Sequence, residues 1–173
     1  LSGTTNALVS IGDHIAKGDR NGAKQAIDTL EAHYQAFIAD LLKKPDTLAK
    51  AKGILAEHFE FLNIILKISF SEALSKDILA QGELLSTKLF STYLEEQGID
   101  HALLPALEFM TIDSYDEPQI GSIKIRLGQL LQQHKDKKFF VTQGYICRNA
   151  RGEVDNLKRG GSDYSASLIA AAI

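Results

Sequence analysis

The sequence predicts an α/β fold with a helical N-terminal region, and three observations carry that prediction. Apolar residues recur at helical spacing through four successive segments before Gly98. Beyond Gly98 the pattern changes to short apolar runs bounded by Pro, Gly and Asn, with one further helical segment among them. Near the C-terminus, Arg159-Gly160-Gly161 leads into a helix built from Ala, Ser, Leu and Ile. Helices followed by strand–helix–strand units indicate an α/β body that carries a helical insertion. The expected division is residues 1–98 for the mainly helical region and 99–173 for the α/β part.

In chain order, Gly3 to Asn6 reads as a loop passing into a helix over about 4–17, where Thr4, Thr5 and Asn6 offer capping groups. Ile27, Leu30, Tyr34, Phe37, Ile38 and Leu41 form the stripe of a second helix, about 21–43, with Gly18 and Gly22 at its start and Pro45 after its end. A third helix, about 46–69, carries Leu48, Leu55, Phe59, Leu62 and Leu66; Ile54, Phe61 and Ile65 widen the stripe, so more than one side is buried. A fourth helix, about 72–97, contains Gly82. A glycine inside a helix costs about 1 kcal/mol against Ala, so a close approach is expected there. Glu83, Ser86 and Thr87 fall on one face of that helix, which alone reads as a polar, solvated face.

Ala102-Leu103-Leu104 before Pro105 reads as a strand, and 111–119 as a loop rich in Asp, Ser and Pro. A helix over about 120–134 turns Ile123, Leu127, Leu130 and Leu131 inward. Strands are expected near 138–142 and 144–148, and Asn149-Ala150-Arg151-Gly152 is a turn before Val154. Ligands of open α/β sheets sit off the C-terminal strand ends, and Gln143-Gly144 lies at such an end.

Composition narrows the function classes. Net charge is −3, and no basic cluster comes with interleaved aromatics, so nothing points to nucleic acid. The single cysteine, Cys147, rules out an internal disulfide and a Cys-rich metal site, and reads as a small core residue. The five histidines lack ligand spacing; His58, beside an apolar stripe, reads as a core or boundary residue. No apolar run approaches the ~18 residues of a membrane span, and no signal peptide is visible; a cytoplasmic location is expected. The only methionine is Met110, and the chain opens and closes within expected elements, so it reads as a fragment.

The stretch Leu157 to Ala166 carries the chemistry. Gly160 and Gly161 permit positive φ and close approach of a ligand, Ser162 suits an N-cap, and Asp163 suits the positive end of the helix dipole. Free amides at such a terminus, together with the planar fork of Arg159, make an anion pocket. The alternative is a tight turn with Arg159 in solvent. No nucleotide loop with the Gly-Lys-Ser/Thr ending, dinucleotide fingerprint or nucleophile–histidine arrangement is present.

Arg159-Gly160-Gly161-Ser162-Asp163 resembles the Gly-Arg-Gly-Gly-Ser-Asp segment of aspartate kinases, in the amino-acid kinase family. Thr142-Gln143-Gly144-Tyr145, Gly82-Glu83-Leu84-Leu85-Ser86 and Ser2-Gly3-Thr4-Thr5-Asn6 resemble three further segments of that family, in family order. The resemblance covers nearly the whole chain. It implies a partial α/β/α sandwich of the amino-acid kinase type and transfer of the ATP γ-phosphoryl group to the β-carboxylate of L-aspartate. It further implies that Arg159 clamps the substrate carboxylate, Glu83 pairs with its α-amino group and Thr5 hydrogen-bonds it. The amides of Gly160, Gly161 and Ser162 would line the pocket, and Asp163 would orient the catalytic lysine. Mg would accompany ATP, and the complete enzyme would be a homo-oligomer.

Lys158 departs from the family, where Gly often precedes the Arg. The family's N-terminal lysine-bearing strand and its ATP-binding segment do not lie within the sequence, so the chain alone is expected to be inactive. Another amino-acid kinase, a non-catalytic amino-acid-binding module, and a helical interaction module formed by 19–97 are the alternatives.

Overall fold

The computed structural model describes residues 1–158 and 160–173. Arg159 lies outside the described residues, and so does the clamp expected of it. The chain forms two compact units, Leu1–Ile99 and Asp100–Ile173.

The first unit is four helices: α1 Thr4–Ala16, α2 Arg20–Leu41, α3 Pro45–Ile65 and α4 Glu72–Glu96. Helix α1 packs on α2 and α4, and α3 packs on the same two. The apolar stripes meet in one core that includes Leu8, Ile27, Tyr34, Ile38, Phe59, Leu62 and Leu85. Asp19 caps α2 by accepting from the Gly22 amide at 2.9 Å, and Ser71 caps α4 by accepting from the Leu74 amide at 3.1 Å.

Pro45 follows the end of α2, as expected, and opens α3, since the first helical position needs no amide donor. Two local expectations need correction. Helix α3 ends at Ile65, not near Ser69; Ile68 and Phe70 beyond it are exposed, so their apolar character does not mark a buried face. No side chain among Thr4, Thr5 and Asn6 caps α1, because Gly3 takes the cap position with φ 85°.

Gly82 does not break α4. A Cβ there would sit 3.1 Å from Leu8 Cδ1 and 3.5 Å from Thr4 Cγ2, so the expected close approach is that of α1. At the far end of α4, the buried Glu96 carboxylate accepts from the amides of Lys43 (2.9 Å) and Lys44 (3.1 Å) and from the Thr47 hydroxyl. The Thr47 bond, followed by the amide bonds, holds the Glu96 carboxyl below its ordinary pKa.

In the second unit β1 Ala102–Leu104 pairs in parallel with β2 Phe140–Thr142, in the register Leu103 to Val141. Between them lie a four-residue helix, α5 Ala106–Phe109, and α6 Ile120–Gln133. β3 Ile146–Arg148 pairs antiparallel with β4 Val154–Asn156 across the expected turn, where the Gly152 amide donates to the Asn149 carbonyl at 2.9 Å. Helix α7, Gly161–Ala172, packs on α6. Cys147 is fully buried, as its reading as a core residue expects. Among the described residues, no helix is long and apolar enough to cross a membrane.

Candidate amino-acid site

In the second unit two of the four segments meet. A Cβ on Gly144, just past the C-terminal end of β2, would lie 3.0 Å from Ser162 Cα and 3.1 Å from Ser162 Oγ. A Cβ on Gly161 would lie 2.8 Å from Tyr145 Cδ2 and 3.2 Å from Tyr145 Cα. Glycine at both positions therefore lets the turn after β2 press onto the first turn of α7.

Hydrogen bonds fix this contact. The Tyr145 amide donates to Ser165 Oγ at 2.9 Å, whose hydroxyl donates to the Gly161 carbonyl at 2.7 Å. The Leu157 amide donates to the Tyr145 carbonyl at 2.7 Å. Tyr145 itself is held in the left-handed region at φ 68°. The buried Gln143 side chain accepts from the Ala106 amide at 2.8 Å and so ties the end of β2 to the start of α5.

The start of α7 differs from its sequence reading. The helix begins at Gly161, and Gly160 is the N-cap at φ 76°; Ser162 lies inside the first turn and caps nothing. The left-handed geometry of Gly160 sets the helix start earlier than a serine cap would. The Gly161 amide donates to the Lys158 carbonyl at 3.0 Å. Among the described residues, the amides of Ser162 and Asp163 have no acceptor, and both residues are exposed. Lys158, also left-handed at φ 61°, pairs through Nζ with Asp116 Oδ2 at 2.8 Å, and Asp116 has φ 64°.

In the first unit, Thr5 is exposed on the first turn of α1, and Glu83 is half-buried on α4 next to Gly82. Burial pushes the Glu83 carboxyl above its ordinary pKa. No side-chain cation among the described residues pairs with it. The Ser86 and Thr87 hydroxyls donate to the Glu83 backbone carbonyl at 3.2 and 2.8 Å. Between α1 and α2, the Thr4 and Tyr34 hydroxyls share a buried hydrogen bond of 3.0 Å. In the first unit Thr4 and Tyr34, and in the second Ser165, make contacts that the sequence reading does not single out, whereas Gln143 lies at the strand end that it does. The sequence places Tyr34 in an apolar stripe, and nothing in it marks the hydroxyl's partner.

The chain matches the amino acid kinase family over residues 3–173. It belongs to that family. Among curated relatives of this amino acid kinase family chain, bifunctional aspartokinase/homoserine dehydrogenase 2 of Escherichia coli is 36% identical over 172 residues. That match covers 97% of this chain and 21% of the relative. Lysine-sensitive aspartokinase 3 of Escherichia coli is 29% identical, over 99% of this chain and 38% of the relative. Among solved structures, Escherichia coli aspartokinase III in complex with lysine and aspartate superposes with a TM-score of 0.80 at 26% identity. It covers 99% of this chain and 38% of that one. The same enzyme with aspartate and ADP gives 0.79 at 25%. The chain thus spans between about a fifth and two fifths of these proteins.

Proposed function

We propose that this chain carries the aspartate-binding part of an aspartate kinase, which transfers the ATP γ-phosphoryl group to the β-carboxylate of L-aspartate. The product, 4-phospho-L-aspartate, opens the route to lysine, threonine and methionine. The observation that carries this reading is Glu83, a half-buried acid with no side-chain cation partner among the described residues. It lies in a chain that aspartokinases match over nearly its whole length. A desolvated carboxylate without a counter-charge is suited to an incoming ammonium, here the substrate's α-amino group.

The chemistry fits the residue set. The nucleophile is already a carboxylate, so no general base is required. What the protein supplies is positioning, and donors that offset the repulsion between two anions. Arg159 takes a substrate carboxylate by two parallel hydrogen bonds. Thr5 and the first-turn amides of α7, at Gly160, Gly161 and Ser162, line the site, with Gly161 contributing chiefly the close approach to Tyr145. Asp163 orients a lysine supplied from elsewhere in the full-length protein. Mg enters with ATP; among the described residues no cluster of three His, Cys, Asp or Glu side chains suits a metal, so no step is assigned to the ion here. A cytoplasmic homo-oligomer is part of the same reading.

The test is Glu83→Ala in the full-length protein. Loss of a charged hydrogen bond worth roughly 1.5–3 kcal/mol weakens L-aspartate binding about ten- to a hundredfold, with ATP affinity nearly unchanged. The pH dependence has a definite sign. Glu83 binds an ammonium only when ionised and its pKa is raised, so aspartate affinity falls as pH drops towards that raised value. Glu83→Gln removes this dependence. Equal loss of ATP and aspartate binding contradicts the assignment.

A further inference from the structure

We infer that Tyr34 is a positioning residue for the amino-acid site, acting through Thr4; this rests on the aspartate-binding reading above. Tyr34 is 1% exposed and Thr4 8% exposed, and their hydroxyls share a hydrogen bond of 3.0 Å. The bond joins α2 to the first residue of α1, directly before Thr5. The same Thr4 presents its methyl group to Gly82, whose Cβ position is 3.5 Å from Thr4 Cγ2, and Glu83 follows Gly82. One side chain therefore faces both elements that carry Thr5 and Glu83: its hydroxyl is held by Tyr34, and its methyl abuts α4.

The opposite side of Tyr34 is fixed as well. Its ring packs against Phe59 of α3, with centroids 6.1 Å apart and planes tilted by 60°. All four helices of the unit therefore converge at this ring. Burial raises the Tyr34 hydroxyl's pKa, the Thr4 bond partly offsets this and the Glu83 charge adds a smaller rise, so the phenol stays protonated. Gly3, with φ 85°, precedes Thr4, so no side-chain cap at that position fixes the start of α1. The hydroxyl pair ties the first turn of α1 to α2 and so fixes the side chain whose methyl packs on α4.

The experiment is isothermal titration of L-aspartate, and separately of ATP, into the full-length protein and its Tyr34→Phe, Thr4→Val and Thr4→Ser variants, with steady-state kinetics alongside. Tyr34→Phe keeps the ring and its contact with Phe59 and removes only the hydroxyl. The expected result is aspartate binding weakened about three- to tenfold in Tyr34→Phe and Thr4→Val, with ATP binding and kcat little changed. Thr4→Ser keeps the hydroxyl and should retain most of the affinity. The double variant Tyr34→Phe/Thr4→Val should lose less than the sum of the two single losses, because it leaves no buried hydroxyl unpaired. Unchanged aspartate affinity in a folded Tyr34→Phe protein overturns the inference while leaving the aspartate reading intact. So does a parallel loss for ATP. If the unaltered protein binds no L-aspartate, the functional reading fails first, and this inference falls with it.

Discussion

Gly161→Ala probes the contact between the turn after β2 and the first turn of α7. The new methyl carbon would stand 2.8 Å from Tyr145 Cδ2 and 3.2 Å from both Leu157 Cβ and Tyr145 Cα. The backbone at 161 is not left-handed, so alanine is not strained by φ. A glycine inside a helix costs about 1 kcal/mol against alanine, and at a first-turn position the substitution regains less than that. Against this gain stands overpacking, about 1–3 kcal/mol in a well-packed site. Tyr145 cannot easily retreat. Its amide is held by Ser165 Oγ, its carbonyl by the Leu157 amide, and its backbone is fixed at φ 68°. The net expectation is a loss of about 1–2 kcal/mol, read in urea as a lower midpoint at unchanged m. Gly128→Ala is the matched control. It lies inside α6 with nothing within 4 Å of the added carbon, and should gain up to about 1 kcal/mol. If Gly161→Ala is as stable as the unaltered protein, or gains as Gly128→Ala does, the close packing of the turn after β2 on α7 is wrong.

Two further outcomes follow from the same geometry. Buried His58 donates from Nδ1 to Gln81 Oε1 at 2.6 Å and accepts at Nε2 from the Lys88 ammonium at 3.0 Å, so it is held neutral. Burial is the main cause of its lowered pKa, and Lys88 adds to it. A depressed histidine pKa means the unfolded chain takes up the proton first. Stability present above about pH 6.5 is therefore lost as pH falls from there towards the folded value. Unfolding free energies at pH 7.5 and 5.5 should show this fall, and a steeper one than in His58→Gln; equal slopes would contradict it. At Lys158, left-handed at φ 61° and paired with Asp116 on the exposed surface, Lys158→Gly should change stability by less than about 1 kcal/mol. Lys158→Val should cost about 1–3 kcal/mol, since a β-branched residue resists that conformation, and equal effects would refute the strain argument.

How legible these features were depended on the range of the interaction that sets them. The four long helices announced themselves because each repeats its apolar stripe over several turns; Ile27, Leu30, Tyr34 and Ile38 are buried as their spacing implies. The close approach at Gly82 was legible too, because a glycine inside a strong helical pattern needs a reason. Short elements were not legible. α5 has four residues and is set by Pro105 and by the Gln143 side chain, which comes from another part of the chain. β4 appeared only as Val154 after a turn, since three residues carry too little periodicity to register.

The start of α7 was misread because Ser162 is a good cap by type, while the backbone chose Gly160 for its left-handed conformation. The roles given to Glu83, Thr5 and the Gly160–Asp163 segment came from resemblance, not from periodicity. What the structure adds is environment. Glu83 is half-buried with a raised pKa, and Gly144 and Gly161 are forced by contacts across the site. The Thr4–Tyr34 bond spans thirty positions, and neither residue's local sequence signals it.

The most direct test of the central claim is a coupled assay of ADP release by the full-length protein, with and without L-aspartate. The account predicts ADP release that requires L-aspartate, is abolished by Arg159→Ala, and is poorly restored by Arg159→Lys, because an ammonium cannot reproduce the bidentate fork. ADP release that is absent, or that proceeds equally well without L-aspartate, would contradict it.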